Sequence, residues 1–263
     1  VANAKFGLEM TNSWGVHSII IDDFKVEEYT PTTYTSVASG AWNNTATWSG
    51  SVVPTCEDNV VIAATHSVLL DFNINRCQNI TIDGVLQYST TSTTQLFQVF
   101  GDMTINATGT YSSCSGATGK RTYFGGNIIN NGILNFQPGT SITGELVWLG
   151  YTGSYSGSGV IANNRIPKIS HGAPGGVNYL SPVTVSNFLG IYLGSVNNTN
   201  LTIGNPPALQ AVTIERYLGS LTTTLNVNTT NIQMISNSYV NPLTTTNFGM
   251  YLALTPTTIT TGN

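Results

Sequence analysis

The chain has 263 residues, 40 % of them hydrophobic, so it can bury a sizeable core in one large domain or two smaller ones. Only 8 % are charged, about a third of the roughly 25 % usual in soluble domains, and Thr, Asn, Ser and Gly fill the deficit. Neither half carries the dense Lys/Arg stripe that a nucleic-acid partner requires, and no run of 18 apolar residues offers a membrane span.

The first strand is predicted over 16–29, VHSIIIDDFKVEEY, where Phe24 and Val26 alternate with Lys25 and Glu27. The chain opens on Val1 rather than Met, as expected of a processed piece of something longer. A Thr/Pro-rich connector leads to Trp42 and Trp48, six positions apart across an Asn-Asn-Thr turn. Short apolar or alternating runs then succeed one another: NVVIAA (59–64), SVLLD (67–71), NITID (79–83), VLQYS (85–89), LFQVF (96–100), MTINATGTY (103–111), NIINNGILNF (127–136) and GELVWLG (144–150). Beyond a Gly/Ser-rich stretch come GVIA (159–162), IPKIS (166–170), GVNYL (176–180), PVTVS (182–186), FLGIYLG (188–194) and NLTIG (200–204). Gly, Asn or Asp closes most of them, and no window of a dozen residues shows helical spacing. Pro206 and Pro207 mark a boundary, so 206–263 is either more of the same or a small separate β region.

Two segments repeat each other. GDMTINATGTY begins at Gly101 and GNIINNGILNF at Gly126, 25 residues later, each a strand, an Asn/Gly turn and a second strand. A period of about 20–25 residues with several short strands predicts a β-solenoid, whose coils bury their apolar faces only by stacking. The competing reading is a β-sandwich with strands about every 8–12 residues.

Chemistry is sparse. Cys56 and Cys77 flank two strand runs and invite a disulfide, which the chain-entropy model values at about 3 kcal/mol; the alternative is two buried thiols, and Cys114 is left over. Glycan-cleaving sites need acids gathered on one face. Asp71, Asp83 and Asp102 do not share one period, and each sits where Asp caps a turn. His17, His66 and His171 are isolated from any nucleophile pattern. Trp42 and Trp48 either cap the first coil or form a stacking platform for sugar. Tyr111, Tyr123, Tyr151 and Tyr155 border Gly/Ser-rich loops (112–122 and 150–158) suited to adaptable contact with glycan or protein.

Residues 39–71, SGAWNNTATWSGSVVPTCEDNVVIAATHSVLLD, resemble the opening of eight-glycine-type domains and related right-handed parallel β-helices of large secreted bacterial surface proteins. Many of these leave the cell by the type IX route. Residues 176–205 resemble the coil pattern that the same proteins repeat. Residues 16–29 resemble the terminal strand of a jelly-roll sandwich, and through that analogy Asp22 and Asp23 become candidate Ca2+ ligands. No other cofactor is expected.

The fold expected is all-β: a right-handed parallel β-helix over 36–205, preceded by the end of a jelly roll in 1–30. The function expected is a non-catalytic structural or adhesive module of a secreted cell-surface protein. Its partners would be an extracellular glycan or surface protein and the other domains of the same long chain. A polysaccharide lyase or hydrolase, or its binding accessory, is the alternative.

Overall fold

The structure, a computed structural model, describes residues 30–90, 95–113, 120–136, 144–192, 195–197, 200–204, 212–216, 220–221, 226–228 and 232–236. The chain divides into two units, 1–30 and 31–263. The strand expected over 16–29 lies outside the described residues.

In the second unit strands are short, because Gly, Asn and Asp interrupt the β-branched runs every few residues. Asn59–Ile62, Ser67–Leu70 and Ile74–Cys77 form three successive faces of one coil. Ile80–Ile82, Val85–Tyr88 and Gln95–Val99 form the next, each stacked on its predecessor. Val60 pairs with Ile80, Val68 with Leu86 and Cys77 with Val99, all in parallel. Repeated over the described residues, this gives a nine-stranded, a six-stranded and a ten-stranded parallel sheet. The unit is a β-solenoid, and no α-helix occurs among the described residues.

The predicted repeat is the observed one. Met103 pairs with Ile128 at the 25-residue offset, whereas Thr110 pairs with Ile133 because the intervening turn is two residues shorter. Corner lengths therefore vary while strand register holds. The six-stranded face ends at Val160–Ile161. Beyond it the nine-residue strand Val183–Ile191 joins the ten-stranded sheet, pairing with Leu201–Gly204 at its start and Val212–Arg216 at its end.

Alternation decides what is inside. The inward columns read Val60–Ile80–Met103–Ile128, Val68–Leu86–Tyr111–Leu134 and Val99–Phe124–Trp148, and all are buried. Each such side chain contributes about 1.5–3 kcal/mol of transfer free energy. Aromatic rings run along the axis through several coils: Trp42 to Phe97 at 5.3 Å, Phe97 to Tyr111 at 6.1 Å and Tyr111 to Phe136 at 5.2 Å. Such edge contacts add about 0.5–1.5 kcal/mol each beyond area.

Polar residues climb one corner in step. Asn79 Nδ2 donates to Asn59 Oδ1 at 2.8 Å, and the Asp102 amide donates to Asn79 Oδ1 at 2.8 Å. Asp102 Oδ1 accepts from the Asn127 amide at 2.7 Å, and Ser154 Oγ donates to Asn127 Oδ1 at 2.8 Å. This ladder satisfies turn amides that neither sheet can reach. At the same corner, a Cβ on Gly125 or Gly150 would run into the carbonyl of the coil below, so backbone packs directly on backbone there.

Candidate functional site

Trp42 and Trp48 are set by a tight turn. Asn44 Oδ1 accepts from the Ala46 amide at 3.0 Å, and Gly50 and Ser51 then take left-handed backbone, with φ of 73° and 54°. The chain folds back, and both indoles enter the interior at 2 % and 1 % exposure. They meet edge to face at 4.9 Å, and Trp48 Nε1 donates to the Trp42 carbonyl at 2.7 Å. No ring face is left for a sugar, so the stacking-platform reading is corrected. The two indoles close the first coil, where apolar interior would otherwise meet water.

The same correction applies to two tyrosines. Tyr111 lies in an inward column, wholly buried, with its hydroxyl 2.5 Å from Thr122 Oγ1. Tyr155 is 2 % exposed and accepts from Asn130 Nδ2 at 3.0 Å. Burial pushes both phenol pKa values up. Alternation, rather than the nearby Gly and Ser, decides their direction. Tyr151, by contrast, is 76 % exposed, and Tyr123 is half-buried on an outer face.

The expected Cys56–Cys77 disulfide is also corrected, since both are free thiols. Cys77 occupies an inward strand position, where burial pushes its thiol pKa well up, and Cys56 sits on a half-buried surface turn. Cys114, Asp22 and Asp23 lie outside the described residues. Among the described residues no group of three His, Cys, Asp or Glu comes together.

The acids serve turns. Asp71 Oδ1 accepts from the Asn43 amide at 3.2 Å, Asp83 Oδ1 from Asn106 Nδ2 at 2.7 Å, and Asp102 holds the corner ladder. Asp58 Oδ2 accepts from the Thr55 amide at 2.8 Å and its hydroxyl at 2.7 Å. His66 Nδ1 is 2.9 Å from both Ser36 Oγ and the Ser36 carbonyl, pinning the leading segment to the coil. His171 is buried between Trp148 and Tyr179, with Nε2 2.5 Å from the Tyr179 hydroxyl. Burial lowers its pKa to about 3, so the ring is neutral and has no solvent-borne substrate to reach.

Charge on the described strands is confined to the ten-stranded sheet. Arg121, Glu145 and Lys168 are register neighbours in one outward column, and Tyr123, Val147 and Ser170 form the next, in which Val147 and Ser170 are buried. Arg121 Nε donates to Glu145 Oε2 at 2.9 Å and Ser170 Oγ to Glu145 Oε1 at 2.6 Å. Arg76 Nε donates to Gln98 Oε1 at 2.8 Å on the same face. The described strands of the other two sheets carry no Asp, Glu, Lys or Arg. This strip escapes a reading of the sequence because each residue is ordinary when taken alone. Its one signal there is the matched position of Arg121 and Glu145 in successive coils.

Residues 47–112, which span strands Asn59–Ile62 through Thr110–Ser112, match the family model described as G8 domain. The match takes in the first coils, His66 and the lower corner ladder, about a quarter of the chain. No curated protein and no solved structure matches the chain. Similarity to the G8 domain and the parallel β-solenoid fold agree with each other, and together they describe a β-helix module of the kind found in extracellular proteins.

Proposed function

We propose that the chain is a non-catalytic structural and adhesive module of a secreted cell-surface protein. It would stiffen a longer chain and present one polar face and its bordering loops to an extracellular glycan or a surface protein. The observation that carries this reading is the in-register stack itself. Continuous parallel pairing from Thr33–Thr35 onward, around a filled interior, makes a rod in which each coil is held by the next. Support comes also from the placement of Asp58, Asp71, Asp83 and Asp102, which are engaged in turns, and from the concentration of Arg121, Glu145, Lys168 and Tyr123 on one outer face. Export by the type IX route and a jelly roll over 1–30 belong to the same proposal, resting on the resemblance of 39–71 and 16–29.

The test is a glycan-array screen of the whole chain, with reducing-end release assayed on every polysaccharide that binds. Binding without release, weakened several-fold by Tyr123→Ala or Tyr151→Ala, is the expected result. Release of reducing ends would replace this reading with that of a polysaccharide lyase or hydrolase.

A further inference from the structure

One pair of side chains in the interior belongs neither to the turns nor to the outer face. Lys120 and Gln95 are register partners on adjacent strands of the ten-stranded sheet, both directed inward and both wholly buried. Lys120 Nζ donates to Gln95 Oε1 at 2.5 Å and to the Ser89 carbonyl at 3.0 Å, and it lies 5.8 Å from the Tyr88 ring centroid. An amine in hydrogen-bond contact with Oε1 is within van der Waals reach of Cδ, the carbon that carries that oxygen. The other atom on that carbon, Gln95 Nε2, is buried and has no hydrogen-bond partner.

The surroundings suit acyl transfer. Tyr88, Phe97, Tyr111 and Phe136 are all buried nearby, and Gly144, the next residue after Lys120 in the column, lacks a side chain where Phe136 packs. Water is excluded, so it does not compete as nucleophile. Burial disfavours a charged amine in general, and attack proceeds from the neutral form, while strand register holds nucleophile and carbonyl together. The hydroxyls of Tyr88, Tyr111 and Thr122 are hydrogen-bonded to one another in the same interior, and Tyr88 donates to the Arg121 carbonyl at 2.7 Å, so the polar groups of this layer are held in place.

We propose that Lys120 and Gln95 join as an intramolecular isopeptide cross-link between successive coils. The Nζ lone pair adds to Gln95 Cδ, and the Nζ–Cδ bond forms as the Cδ–Nε2 bond breaks. The proton lost from Nζ leaves on Nε2, which departs as ammonia. Nothing is oxidised or reduced, and no co-reactant is consumed. The product is an uncharged secondary amide, which removes both a buried amine and a buried amide nitrogen without a partner. The cross-link stands independently of the adhesive reading.

Mass spectrometry of the whole folded chain, with thiols reduced, decides the matter. The expected mass is one ammonia below that of the sequence. Gln95 and Lys120 share one tryptic peptide, so trypsin is expected to yield residues 77–121, uncleaved after Lys120 and one ammonia light. Chymotryptic cleavage after Phe97 or Tyr111 is then expected to leave a branched peptide with both pieces still joined. Lys120→Met, which fills the volume with no nucleophile, is expected to restore the full mass. Full sequence mass in the folded wild type overturns the proposal. So does an ammonia loss that persists in Lys120→Met, since that points to an Asn-Gly step such as Asn131–Gly132. Should Lys120→Met fail to fold, the branched peptide left by the double digest of the wild type is the deciding measurement: its presence supports the link and its absence rejects it.

Discussion

A histidine enclosed by indole and phenol rings cannot share a proton with water, and the cost falls on the unfolding equilibrium. His171 has its pKa lowered to about 3 by burial, against about 6.5 in an unfolded chain. Above pH 6.5 the ring is neutral in both states and contributes no pH dependence. Below it the unfolded chain takes up a proton that the folded one refuses, so stability falls as pH drops toward 3, by about 1.4 kcal/mol per pH unit. His171→Gln is expected to lack that slope, and urea titrations at several pH values in this window check the difference between the two proteins. Parallel slopes would show the ring to be solvated. The thiols give a second test. In a Cys114→Ser background, Cys56 is expected to react with a maleimide in the native state and Cys77 only on unfolding, because burial raises the Cys77 thiol pKa. At this scale the sequence is least legible. Polar turn residues surround Tyr111 and Tyr155 and give them the look of surface aromatics, and they leave Trp42 and Trp48 open between cap and platform. Inward or outward direction depends on where a strand begins, and a shift of one residue inverts it.

Single strands are easier to read than the corners between them. Runs such as NVVIAA and MTINATGTY announce their strands through β-branched composition and alternation, and the Asn and Gly after them announce a turn. How the turns stack is invisible, because the Asn59–Asn79–Asp102–Asn127 ladder joins residues at unequal spacings. The ladder needs an acceptor at position 102, not a charge. Asp102→Asn is therefore expected to stay within about 0.5 kcal/mol of wild type, whereas Asp102→Ala leaves the Asn127 amide unpaired and costs about 1–3 kcal/mol. Thermal or urea denaturation of the two variants separates hydrogen bonding from electrostatics. Gly125→Ala tests the corner itself. A methyl there meets the Phe100 carbonyl, and the coil must shift to admit it, at about 1–3 kcal/mol.

The architecture of the whole unit is legible, since a repeat of strand, Asn/Gly turn and strand leaves few folds that bury it. The sequence period alone does not reveal that one face ends at Val160–Ile161 and that, one coil later, the nine-residue strand Val183–Ile191 takes the place of two short ones. Cohesion in this unit comes from neutral groups: apolar columns, amide ladders and backbone pairing. The Arg121–Glu145 ion pair is half open to solvent on the arginine side and is worth about 0–1 kcal/mol. Urea unfolding is therefore expected to shift by no more than about 1 kcal/mol between low salt and roughly 1 M salt, where exposed pairs are screened. A larger loss of stability at high salt would mean that ion pairs hold the coils.

The offset of register between Met103 and Ile128 has a consequence for how such a molecule changes over generations. Each coil is positioned by the one beneath it and by no fixed point along the axis. A duplication or loss of one coil, for example excision of 103–127, leaves Asp102 followed directly by Ile128, a residue that already occupies the same place in the repeat. The columns above and below meet without a new interface having to evolve. Length is thus the property that inheritance can adjust most freely, while the cross-section stays as it was.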